Sequence, residues 1–135
     1  MVGVEELERA VRASWSALTA EHPQRWTPEN PAYLQCSATA RLVRDLLGGD
    51  VLIAPVSRGG VRCGFHAWNR LPNGKELDLT RDQFIAGELI GAPESREPVR
   101  GFLASALLRA RAERHLQVRS GWTPKPEANG SGAKR

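Results

Sequence analysis

Cysteine is scarce in this sequence: its 135 residues include only Cys36 and Cys63. Two cysteines cannot build the disulfide framework of a small secreted domain. Long apolar runs are missing too. None approaches the roughly 20 residues that span a bilayer, so no membrane helix is expected. The first residues include Glu5, Glu6 and Glu8, where a secretory signal would be basic. A cytoplasmic protein with reduced thiols is therefore the expectation. Internal repeats are absent. Lysine is rare: of 19 basic residues only Lys75, Lys125 and Lys134 are lysines, and 15 acids leave a net charge of +4. No RNA-recognition aromatic motif, zinc finger or helix-turn-helix accompanies that charge. Arg109, Arg111 and Arg114 surround Glu113 and read as a solvated helix face. No nucleic-acid partner is expected. Collagen-like, coiled-coil and wholly disordered classes are excluded by 41% hydrophobic and 25% charged residues.

What is present fits one α+β domain over residues 1–120, with residues 121–135 as a flexible tail rich in Pro and Gly. Helical periodicity runs from about Val4 to Ala20, with Leu7, Val11, Trp15 and Leu18 on one stripe. Three prolines, Pro23, Pro28 and Pro31, break the next stretch. A second helix is expected from Cys36 to Leu47, stopped by Gly48-Gly49. Strands are expected at Val51–Val56, Val61–Leu71 and Lys75–Thr80, and a last helix from Phe102 to about Val118. N-terminal helices packed on a small antiparallel sheet, with a C-terminal helix, is the resulting architecture.

The turn at Pro72-Asn73-Gly74 decides which side chains share a face. A two-residue Asn-Gly loop would need an N–H from Pro72, which has none. A type I turn with Pro72 at its second position, followed by Gly74 in the left-handed region, pairs Leu71 with Lys75. His66, Trp68, Asp78 and Thr80 then project from one face, with Asp78 one diagonal step from His66. Thr80 also reads as the cap of a turn starting at Arg81, with Gln83 closing a capping box and Phe84 anchoring the turn.

Cys36, His66 and Asp78 suit a nucleophile, a base and an orienting acid. A cysteine at a helix start has its thiolate favoured by the helix dipole. A histidine takes the thiol proton, and a carboxylate on its other nitrogen fixes the tautomer. The backbone N–H of Cys36 would be one oxyanion donor. Gln35 is the nearest side-chain candidate for a second, with Asn30 and Trp26 as others. Trp68 would shield the imidazole or stack on substrate. Strand parity turns Cys63 away from His66, into the core as a small apolar residue. A zinc site from Cys36, Cys63 and His66 lacks paired spacings and a fourth ligand, so no metal or other cofactor is expected.

Three segments together resemble the YunG-like family of small bacterial proteins. They are Ser14-Trp15-Ser16; Gln35-Cys36-Ser37-Ala38-Thr39-Ala40 with Gly48-Gly49; and His66 to Gly74 running into Asp78-Leu79-Thr80-Arg81-Asp82-Gln83-Phe84. The resemblance implies that Gln35, Cys36, His66, Trp68, Asn69 and Asp78 form a shared signature. Leu34 stands where a glycine is expected before Gln-Cys, and Ala67 where an aromatic residue is expected. The chain order cysteine, histidine, acid is also that of papain-like and transglutaminase-like folds, whose cysteine starts a helix. The expected activity is a cysteine-dependent hydrolase or acyltransferase, with a small-molecule, peptide or protein acyl substrate. Its alternative is a non-catalytic peptide or small-molecule binding module on the same fold.

Overall fold

The computed structural model describes residues 3–120, so the expected tail lies outside the described residues. Helix α1 covers Val4–Ser14 and buries Leu7, Ala10, Val11 and Ser14, one stripe of a 3.6-residue period. It ends six residues before the expected point. Ser16 and Thr19 cap one another, and Ser16 Oγ accepts the Leu18 N–H at 3.1 Å, which starts a separate 3₁₀ turn over Ala17–Thr19. Leu18 therefore leaves the expected apolar stripe and is 66% exposed. Helix α2, Cys36–Leu47, has the expected bounds, and Gly48 closes it at φ 82°.

Two long strands follow, β1 (Asp50–Arg58) and β2 (Val61–Arg70), paired antiparallel from Asp50↔Arg70 to Arg58↔Val61. Their register slips once: Val56 faces Gly64 and Ser57 faces Arg62. Cys63 is the extra residue of this bulge, which cancels the parity argument, and it is exposed rather than core. The turn after β2 forms as expected. Leu71 N–H donates to the Lys75 carbonyl, Gly74 N–H to the Leu71 carbonyl, and Gly74 has φ 87°. Strand β3 is only Glu76–Leu77; the expected strand to Thr80 gives way to turns and a 3₁₀ turn over Arg81–Gln83. The expected capping box is not formed there: the Gln83 amide instead donates to the Thr80 carbonyl and hydroxyl.

Two short strands, β4 (Leu89–Ile90) and β5 (Glu94–Ser95), pair with the other edge of β1 and complete a sheet of order β3-β2-β1-β4. Two-residue strands carry no alternation, so the sequence offers no sign of them. Helix α3, Phe102–Ser120, buries Ser105, Leu108, Ala112 and Leu116. The main core joins Leu108, Ala112 and Leu116 to Leu7, Val11 and Trp15 of the N-terminal segment, Leu42 and Val43 of α2, and Leu79. Arg111 departs from the expected solvated face: its guanidinium donates to the Ser14 carbonyl at 3.0 Å and to Ser16 Oγ at 2.8 Å.

Candidate active site

Cys36 occupies the first position of α2 and is 6% exposed. Leu34, two residues earlier, is the one non-glycine residue with positive φ among those described, at 65°. That conformation is why a glycine suits the position; a leucine there holds roughly 1–2 kcal/mol of backbone strain. Its carbonyl accepts the Glu21 N–H at 2.8 Å, which helps hold the bend. No side chain caps α2. Its first N–H groups, those of Cys36 and Ser37, make no hydrogen bond among the described residues. The thiol thus sits at the positive end of a helix beside free donors.

His66 is 1% exposed and its Nε2 lies 2.6 Å from Asp78 Oδ2. The same carboxylate oxygen accepts from Arg81 Nε at 2.7 Å, and Oδ1 accepts the Thr80 N–H at 3.2 Å. Burial pushes the Asp78 carboxyl up, but the His66 and Arg81 bonds and charges outweigh it and hold it below the usual carboxylate range. An ionised Asp78 places the ring proton on Nε2, leaving the Nδ1 lone pair as the base. Nδ1 is buried and makes no hydrogen bond. Burial pushes the His66 pKa down; the bond to Asp78 and the interaction with Cys36 push it up, and upward wins. The Cys36 thiol is near enough to push the imidazole pKa up, while Nδ1 itself forms no hydrogen bond. Trp68 stacks on the ring with centroids 5.4 Å apart, and Phe84 meets it edge-on at 4.7 Å.

Cys36 and His66 line one cleft of about 580 Å³. The other expected residues have different surroundings. Gln35 is fully buried; its Nε2 donates to the Ser16 carbonyl at 2.9 Å and its Oε1 accepts from Thr19 Oγ1 at 2.7 Å. Asn69 is buried and donates to the Ala40 carbonyl at 2.9 Å, tying β2 to α2. The Trp26 indole donates to the Pro31 carbonyl, and that of Trp68 to Glu76. None of these four lines the cleft. Cys63, expected in the core, does line it, brought there by the bulge; so do residues without an expected role, exposed Phe65 and the arginines Arg58 and Arg96. Arg81 was also missed, although its spacing three residues after Asp78 was a usable sign. No group of three or more His, Cys, Asp or Glu side chains suited to a metal occurs among the described residues. No helix there is long and apolar enough to cross a membrane.

Comparison with known proteins places the chain in a family. Residues 3–121 match the model of the YunG protein family. The uncharacterized protein YunG of Bacillus subtilis (strain 168) is 32% identical over 95 residues, covering 70% of this chain and 75% of that protein. No solved structure matches the chain.

Proposed function

The chain belongs to the YunG protein family, and we propose that it is a cysteine-dependent hydrolase or acyltransferase acting on an amide, ester or thioester carbonyl. The observation that carries this reading is the state of His66. One ring nitrogen is held by Asp78 at 2.6 Å, while the other is buried, unbonded and in the wall of the cleft that Cys36 also lines. A buried polar atom without a partner is costly, and a catalytic role accounts for its being kept.

In the proposed reaction, Nδ1 of His66 takes the Cys36 thiol proton and the thiolate adds to the carbonyl carbon. The Cys36 backbone N–H, free at the start of α2, stabilises the oxyanion. Collapse forms the thioester, and the leaving amine, alcohol or thiol departs with the proton from His66. Water or an amine then attacks the thioester as His66 takes a proton from it, and His66 passes that proton to the departing Cys36 thiolate as the acid or amide is released. Asp78 stays ionised throughout and offsets the imidazolium charge. The order cysteine, histidine, acid supports relating the fold to papain-like and transglutaminase-like enzymes.

Alkylation separates this reading from that of a binding module. Accessibility alone favours exposed Cys63 over Cys36, which is 6% exposed. At pH 7, iodoacetamide is nevertheless expected to modify Cys36 about tenfold faster than Cys63, followed by peptide mapping. Faster modification of Cys63 would leave Cys36 as an ordinary buried thiol and return the cleft to simple binding. With a substrate identified, Cys36→Ala should abolish turnover.

A further inference from the structure

The cleft carries more positive charge than its acids offset. Arg25, Arg58 and Arg96 line it and form no ion pair among the described residues. The acids nearby are mostly committed. Glu21 pairs with Arg100 at 3.0 Å, and Glu97 is held by Arg41 and Arg44. Glu88, which accepts the Ala86 N–H at 2.8 Å, is the one lining carboxylate without a cationic partner.

Two of the three unpaired arginines, Arg25 and Arg96, are also held against aromatic rings. Arg25 donates to the Tyr33 hydroxyl at 2.8 Å and lies 5.9 Å from the centre of that ring. Phe65, on the cleft wall, carries Arg96 at 5.9 Å and Arg62 at 4.3 Å from its centre. Contact with an aromatic ring uses the face of a guanidinium and leaves donors at its edge. An arginine held this way is pre-oriented for a carboxylate or phosphate.

We propose that the acyl donor carries an anionic group, a carboxylate or phosphate, which Arg58 and Arg96 hold with Arg25 on the cleft wall while the carbonyl faces Cys36. This inference rests on Cys36 being the nucleophile. The positive charge at these positions becomes a determinant of specificity.

Iodoacetate and iodoacetamide test this directly, because they present the same electrophilic carbon with and without a carboxylate. The readout is the ratio of their alkylation rates at Cys36. In the Arg58→Gln/Arg96→Gln variant that ratio is expected to fall about fivefold, and high salt should lower the wild-type ratio similarly. An Arg9→Gln/Arg114→Gln variant loses the same formal charge from exposed positions outside the cleft and should keep the wild-type ratio. Arg58 and Arg96 are exposed and make no ion pair, so their substitution should leave thermal melting nearly unchanged. The proposal is overturned if both double variants share the wild-type ratio while Cys36 still outpaces Cys63. Slow reaction of wild-type Cys36 with both reagents removes the nucleophile itself, and the proposal with it.

Discussion

Asp78→Ala is expected to slow alkylation of Cys36 by about tenfold or more and to lower the His66 pKa, because the carboxylate both orients and charges the imidazole. Asp78 has three partners: His66 at 2.6 Å, Arg81 at 2.7 Å and the Thr80 N–H at 3.2 Å. Alanine leaves the buried Nε2–H without an acceptor, at a cost of about 2–3 kcal/mol. Asp78→Asn separates the two roles. Its amide oxygen can still accept from Nε2 but carries no charge, so orientation should return while the His66 pKa stays low. The check is NMR titration of the His66 ring protons beside the alkylation rates. A His66 pKa unchanged in both variants would show that the pair does not operate. The pH dependence of stability follows from the same pair. His66 has its pKa raised, so its contribution is complete below the unfolded value and is lost as pH climbs through the folded one. Asp78 has its pKa lowered, so its contribution is present above the unfolded value and is lost as pH falls through the folded one. Both contributions are complete between about pH 4 and 6.5, where denaturant melts of wild type and Asp78→Ala should differ most.

Gly49→Ala is expected to cost on the order of 4 kcal/mol, close to the ceiling for a single substitution. Gly49 has φ 85°, and a Cβ placed on it would lie 2.1 Å from the Arg70 carbonyl oxygen. That oxygen belongs to the end of β2 and cannot swing aside as a side chain could. The chain between α2 and β1 crosses the end of β2 here, and only a hydrogen fits between them. Gly59→Ala supplies the control. Gly59 has φ 61° with nothing within 4 Å of a built Cβ, so it bears only the conformational cost, about 1 kcal/mol. A melting temperature lower by roughly 10–20 °C for Gly49→Ala, and by only a few degrees for Gly59→Ala, is the expected result. Equal losses would mean that the crossing opens without penalty.

These two predictions mark how far the sequence could be read. The Pro72-Asn73-Gly74 turn was legible because proline lacks an N–H, and that single constraint put Asp78 within reach of His66. Helix α2 was legible from its periodicity and its glycine stop. The second reason for Gly49, its contact with the Arg70 carbonyl, was not, because the contact spans 21 residues and no local pattern encodes it. Cys63 failed for a related cause: one extra residue in β2 reverses every parity argument beyond it. Gln35 and Asn69 entered through the resemblance, which implied them as signature residues, yet their amides bond to the main chain of neighbouring segments. A shared residue type reports that a position matters and leaves open whether it meets a ligand or the backbone.

The links from Arg111 to Ser16, and from Ser16 to Gln35, have a consequence for the order in which the protein becomes competent. Arg111 donates to Ser16 Oγ across 95 residues of chain, and Gln35 Nε2 donates to the Ser16 carbonyl across 19. Gln35 directly precedes the cysteine, so the segment holding Cys36 is fully braced only once residue 111 has arrived. A ribosome adding roughly 5–20 residues per second emits Cys36 several seconds before Arg111. Throughout that interval the segment that leads into Cys36 lacks the brace that α3 supplies.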